Sequence, residues 1–574
     1  MKRLHRRGWL AAAVMSCLAL AACGGTSSTG SQSSGTQSGG STTASGTGSP
    51  STGGATAPAS GIHGQLTVGM APGDIDSLDP QHWYFASTWA LSNGLCTPLL
   101  RFGDGSGTGS VALVPGLANL PSVSDGGKQY TFTLRPAKFS DGQTITGQDI
   151  AYTAERMLTP ALDGGWGPFY YGIKGAQAFE AGKAPSISGI TATANSITFH
   201  LSAADGAFPY DWATPNTCPV AVGTPKKVFS DGSLMEKYAS GPYKIASYTP
   251  EHSMVWVRNP NYDASTLGAR GHLDKMVFNI GVAPSQAALD IKAGSIDLYT
   301  GFFNPADIAQ LSSDPTLKSQ VIISSRPANM YLWLNNTVPP FTNTDVRQAV
   351  NYAIDRTQAA KAYGGPAVAT PASQILTPAV PDFHRENYYP TTPDLAKAKA
   401  LMAASGIKTP IKTYMWTRND AGGFVPMAEV IQANLKAIGI DVSIKTAPDA
   451  VSSPIYHSVK AHVPMSMSMQ SPEFPDGEGI INANFNPKDP DNLNDPSRFH
   501  DVAFAPAFEH AASLPVGSAR ASAYMALDQS LTTKAAPVAI IIDANRFDFV
   551  SSKVDGYVYQ EALDGINYDD LGTK

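Results

Sequence analysis

Charge is scarce in this chain, and cysteine is scarcer. Only 15% of the 574 residues are Asp, Glu, Lys or Arg, and four are Cys. Lys and Arg number 40 against 46 Asp and Glu, a formal charge of −6. No basic excess exists to neutralise a phosphate backbone, so no nucleic-acid partner is expected. Past the N-terminus, no apolar run approaches the ~20 residues a membrane-spanning helix needs. Enzyme motifs are missing too: there is no Gly-x-Ser-x-Gly elbow, no His-Glu-x-x-His pair and no Gly-Lys-Ser/Thr phosphate loop. The 11 His are scattered, and His457 and His462, five apart, do not stack neatly on one helical face. No metal site is assigned and no cofactor is expected.

What is present begins with a leader. Lys2, Arg3, Arg6 and Arg7 precede the apolar run Trp9 to Ala22, which is too short to span a bilayer and reads as a signal peptide over residues 1–22. Leu20-Ala21-Ala22-Cys23-Gly24 resembles the lipobox of bacterial lipoproteins, in which the Cys is acylated and becomes the first mature residue. Arg6-Arg7-Gly8-Trp9-Leu10 also resembles a twin-arginine export signal, so two export routes stay open. Residues 23–61 are almost entirely Gly, Ser, Thr, Ala and Pro. Such a segment lacks the apolar surface that offsets ordering entropy and is expected to be a flexible tether. The protein would then be held on the extracytoplasmic face of the cell membrane by its lipid. Without the four basic leader residues the balance is 36 against 46, or −10.

Cys17 leaves with the leader and Cys23 takes the lipid, so Cys96 and Cys218 remain. In an oxidising compartment they can pair, and two buried free thiols are the alternative. The folded part starts with alternation: Leu66, Val68 and Met70, then Tyr130, Phe132 and Leu134, then Ile197, Phe199 and Leu201. Each is the signature of a strand with one buried face. Later the period lengthens. Val346, Ala349, Val350 and Ala353 line a helical face opened by Asp345, and Leu395, Ala398, Leu401 and Met402 line another, stopped by Gly406. Val430, Ile431, Asn434, Leu435 and Ile438 form a third, ended by Gly439, after which Ile440, Val442 and Ile444 alternate. Helix, glycine, strand is the succession of an αβ unit, and the class is α/β.

A series of motifs then recurs in order. It runs through Asp76-Ser77-Leu78-Asp79-Pro80, Pro115-Gly116-Leu117-Ala118, Phe139-Ser140-Asp141-Gly142 with a helix through Arg156, and Ser240-Gly241-Pro242-Tyr243. It continues with Arg258-Asn259-Pro260-Asn261-Tyr262, Gly294-Ser295-Ile296-Asp297, Leu334-Asn335-Asn336 and Val346-Arg347-Gln348-Ala349 to Ile354-Asp355-Arg356. In this order and spacing the chain resembles the large peptide- and nickel-type solute-binding proteins of ABC importers, family 5. Arg347 and Asp355-Arg356, opposite an apolar face, read as structural pairs.

The resemblance implies a two-lobe, periplasmic-binding-protein-like fold of the large type II kind. Lobe I would comprise 62–82, 211–333 and 529–574, with an extra subdomain, 83–210, inserted in it. Lobe II would be 334–528. Crossing strands would act as the hinge, closing on the ligand. The partners implied are a peptide or other small solute and the permease and ATPase subunits of an importer, with the binding protein itself a monomer. In peptide-binding members an Asp in a Trp-x-x-Asp-Tyr stretch holds the ligand amine. The aligned stretch here is Gln470-Ser471-Pro472-Glu473-Phe474-Pro475-Asp476. Glu473 becomes the expected amine partner with Asp476 in reserve, while Gln470 and Phe474 stand where the family has Trp and Tyr. Trp83, Tyr84 and Trp333 are the aromatic residues expected to wall the ligand, with Trp166, Phe169, Tyr170 and Tyr171 clustered in the inserted subdomain. An oligosaccharide, a siderophore-like compound or a chelated metal is the alternative solute.

Overall fold

Alternation does in three dimensions what it promised. Leu66, Val68 and Met70 are fully buried along the strand Gln65–Met70, which pairs in parallel with Lys275–Ile280 and Leu298–Tyr299. Ser253–Arg258 and Tyr243–Thr249 complete a five-stranded sheet by antiparallel pairing. This is the sheet of the first lobe. The structure, a computed structural model, describes residues 64–105, 111–162, 164–381, 383–489, 492 and 494–574. The leader, Cys23 and the tether lie outside the described residues. Among those described, no helix is long and apolar enough to cross a membrane.

The inserted subdomain carries an antiparallel sheet, Ser122–Ser124, Gln129–Thr133, Ser196–His200 and Ile190–Ala192. Tyr130, Phe132, Ile197 and Phe199 supply its buried face. The second lobe has a six-stranded sheet in the order Ala369–Pro371, Val538–Phe549, Val321–Leu334, Met465–Gln470, Ile411–Arg418, Ile440–Ala447. Helix Phe424–Lys436, Gly439 at φ +85° and strand Ile440–Ala447 form the αβ unit read from the periodicity.

Helix Thr344–Ala353 buries Val346, Ala349, Val350 and Ala353 completely, but its cap is Asn343 and not Asp345. The Asn343 side chain accepts from the Asp345 and Val346 amides at 2.8 and 3.3 Å. Asp345 sits instead in the first turn, where the helix dipole favours an acid.

Two long antiparallel strands, Val321–Leu334 and Val538–Phe549, connect the lobes. Phe547 and Phe549 pack with Ala287, Tyr299 and Phe303 in the first lobe, while Asn329 to Leu334 pair with Met465–Gln470 in the second. A register shift interrupts their pairing between Ser325 and Asn329.

Buried charge fixes several of the recurring motifs. Arg156 donates to both oxygens of Asp79, at 2.8 and 2.5 Å, and to the carbonyls of Pro225 and Lys227. The Leu-Asp-Pro segment is thereby tied to the inserted subdomain's helix. Arg347 and Arg356 depart from the expectation of ion pairs. Arg347 donates to the carbonyls of Ala535 and Phe341, and Arg356 to those of Ala372, Ile540 and Asn351. With carbonyls for partners, burial holds both guanidiniums down to about 10. Asp355 caps its own helix through the Gln358 amide.

Cys96 and Cys218 are bridged, with Cα atoms 5.8 Å apart and a sequence separation of 122. The bridge ties the end of helix Ala86–Leu95 to the turn at Pro215–Thr217. Closing so long a loop restricts the unfolded chain, so replacing both Cys with Ser is expected to cost about 2–4 kcal/mol of stability. Thiol titration of the denatured, unreduced mature protein should find neither Cys reactive. Two reactive thiols from this pair would refute the bridge.

Candidate functional site

The loop 470–479 leaves the end of strand Met465–Gln470 and is held at many points. The Ser471 hydroxyl lies 3.3 Å from Asp564, which is itself doubly bonded to Arg326 in the connecting strand Val321–Leu334. The Glu473 amide donates to the Gly479 carbonyl at 2.9 Å, closing the loop on itself. Gly477 and Gly479 permit this tightness: a Cβ on the first would lie 2.3 Å from the Tyr524 ring, and on the second 2.4 Å from the Phe474 carbonyl. Phe474 then stacks on Tyr210 of the inserted subdomain, centroids 5.9 Å apart and planes 14° from parallel.

Next to that stack, one guanidinium answers a cluster of acids. Arg520 on helix Ser518–Ser530 donates to both oxygens of Asp476 at 2.8–3.1 Å and to Glu478 at 2.5 Å. It also donates to the carbonyls of Ala511, Ala512 and Leu514. The Ala512 carbonyl in turn accepts from the Gly206 amide at 3.1 Å. A Cβ at Gly206 would lie 1.9 Å from the Leu514 carbonyl, so only glycine allows the lobes to meet here. Asp205 and Asp211 approach from the other lobe. Burial first, then neighbouring acids, raises the Asp211 carboxyl well above the ordinary range and Glu478 to about 8.

Glu473 differs from these. It is half-buried, and among the described residues its carboxylate has no hydrogen bond and no ion pair. Burial alone pushes it up to about 7. It faces a narrow slit between the lobes, lined by Trp89, Trp166, Phe169, Asp211 and Phe474 among others. Rings crowd this wall: Trp89 and Trp166 are 5.5 Å apart, Tyr84 and Trp166 6.0 Å. A larger groove, between helices Ala505–Ser513 and Ser518–Ser530, is lined by no acid among the described residues.

A family model described as bacterial extracellular solute-binding proteins, family 5 (middle region), matches residues 112–492. The chain belongs to this family. Haem-binding protein A of Haemophilus influenzae is 26% identical over 498 residues, 80% of this chain and 85% of that protein. The dipeptide-binding protein of Escherichia coli is 24% identical over 419 residues, 68% and 74% of the two chains. The solved structure of the clavulanic acid biosynthesis oligopeptide binding protein 2 superposes with a TM-score of 0.82 at 21% identity, covering 90% of this chain and 96% of that one. That likeness shows the two-lobe fold.

In this family 5 protein the residues read from sequence divide sharply. Glu473 and Phe474 line the inter-lobe pocket. Tyr84 stands beside them, 62% exposed, its phenol raised to about 12 by the protein around it and then by the Glu473 charge. Gln470 turns back on its own strand, donating to the Ser468 hydroxyl at 3.0 Å. Asp476 accepts from Arg520 and from the Glu478 amide. Trp83 and Trp333 pack into core clusters. Both are fully buried; the Trp333 indole donates to Ser468 at 2.8 Å and packs against Tyr331 and Phe485.

Sequence reasoning missed Trp89, Tyr210, Asp211 and Arg520. For Arg520 a signal existed: it is the one basic residue of a helix otherwise built from small, apolar and neutral residues and one acid. Nothing of that kind marks Asp211.

Proposed function

We propose that this protein captures peptides between its lobes and hands them to the permease of an ABC importer, and that it catalyses no reaction. An acyl chain on Cys23 would hold it at the extracytoplasmic face of the membrane. One observation carries the peptide reading: Glu473 is a half-buried carboxylate without a partner among the described residues, in an aromatic-walled space between two lobes. A charge kept so far out of water is costly unless something neutralises it. The cation all peptides share is the α-amine, and aromatic faces beside it accept varied side chains. Membership of a solute-binding family and a relative named for dipeptide binding support the same reading.

Calorimetry of the mature protein against a mixed pool of di- to pentapeptides tests it. Heat of binding is expected for free-amine peptides and little for the same pool N-acetylated. No heat from any peptide would sink the reading, and equal binding of the two pools would remove the amine role of Glu473.

A further inference from the structure

Peptide recognition at the N-terminus needs one acid, yet the inter-lobe pocket presents two. Asp211 ends the short helix Phe208–Asp211 and is 5% exposed. Its backbone carbonyl accepts from the Tyr170 and Thr214 hydroxyls, at 3.2 and 2.5 Å. Its carboxylate, among the described residues, has no hydrogen bond and no ion pair, because Arg520 makes its ion pairs with Asp476 and Glu478. The pocket that Asp211 lines is the one Glu473 lines, from the opposite lobe. Its walls include the rings of Trp89, Trp166, Phe169 and Phe474, and among the described residues no Lys, Arg or His lines it. Two acids and several aromatic faces around one small space make a setting that favours cations and disfavours anions.

We propose that this pocket is a subsite for a second positive charge on the ligand, so that the preferred solute is a peptide whose first residue is basic. Glu473 takes the α-amine, and Asp211 takes the guanidinium or ammonium of the side chain. Placing the two acids on different lobes also gives the ligand a role in closure. A dication would bridge them across the pocket that both line. The proposal rests on the peptide-capture reading and narrows it.

The test is calorimetry at pH 7.5 with three probes: Arg-Ala-Ala, citrulline-Ala-Ala, and agmatine, a guanidine with an amine but no peptide bond. Citrulline keeps the shape of arginine and loses its charge. For the wild-type protein, Arg-Ala-Ala is expected to bind at least about tenfold more tightly than the citrulline peptide. Asp211→Asn should bring that ratio close to one while leaving the citrulline peptide nearly unaffected. Equal affinities in the wild type, or a ratio that survives Asp211→Asn, would overturn the subsite and leave peptide capture standing. Binding of agmatine alone, sensitive to Asp211→Asn, would keep the subsite and overturn the peptide reading. Silence from all three overturns both. The wild-type comparison decides even if the variant does not fold.

Discussion

Glu473→Gln is expected to weaken binding of free-amine peptides by about 2–4 kcal/mol, roughly 30- to 1,000-fold, since it leaves a desolvated amine facing a neutral amide. The same variant should bind N-acetylated peptides as the wild type does. The pH dependence gives an independent check. Burial holds the Glu473 carboxyl near 7 in the empty protein, and a bound ammonium lowers it by favouring the charged form. Affinity is therefore full above 7 and lost as pH falls through it, by about tenfold per unit while the bound carboxyl stays ionised. Above about 8 the peptide amine loses its own proton, so affinity falls again. The expected profile has a maximum between 7 and 8, with proton release on binding below it, measurable by calorimetry in buffers of different ionisation enthalpy. Glu473→Gln should flatten the acidic limb. A wild-type affinity unchanged from pH 5 to 7.5 would overturn the assignment.

Arg520→Met should carry the other large cost. It removes the guanidinium that holds Asp476 and Glu478 and ties down the carbonyls of Ala511, Ala512 and Leu514. Breaking a buried ion pair from one side costs about 3–5 kcal/mol, because the acids stay behind uncompensated. The sign with pH follows from Glu478, raised to about 8, and from Asp205 and Asp211, raised as well. An acid whose folded value is raised gives the fold most support when protonated, and that support fades as pH rises toward the folded value. The penalty of Arg520→Met is therefore expected to be small near pH 5 and largest near pH 8, read by denaturant unfolding at both. An equal loss at the two pH values would mean packing, and not charge, is what Arg520 supplies. Gly206→Ala meets the same joint from the other lobe without altering charge. It should weaken ligand affinity while leaving the pH trend in place.

How much of this was readable beforehand depends on the kind of residue. Leu66, Val68 and Met70, or Val346 and Ala349, announce themselves because a strand or helix repeats its buried face at a fixed period. Glu473 was found through its resemblance to a family motif, and Phe474 beside it came along as a neighbour in sequence. Where Trp83 and Trp333 would pack was not legible for a plain reason: an indole fills a core as readily as it lines a cleft, and sequence does not say which side of a sheet it meets. Asp476 sits three residues from Glu473 in the same loop, yet its fate was decided by Arg520, 44 positions away.

The sequence by itself determined the α/β class, the order of the motifs and the candidate loop, because these rest on local periodicity and on neighbours along the chain. It also carried the leader and the lipid-accepting Cys23 as expectations. Tertiary structure alone decided which acids remain without partners. That Asp211 and Glu473, 262 positions apart, share one aromatic-walled pocket follows from two lobes folding against each other. A partnerless charge is defined by everything that surrounds it, and those surroundings come from segments the chain keeps far apart.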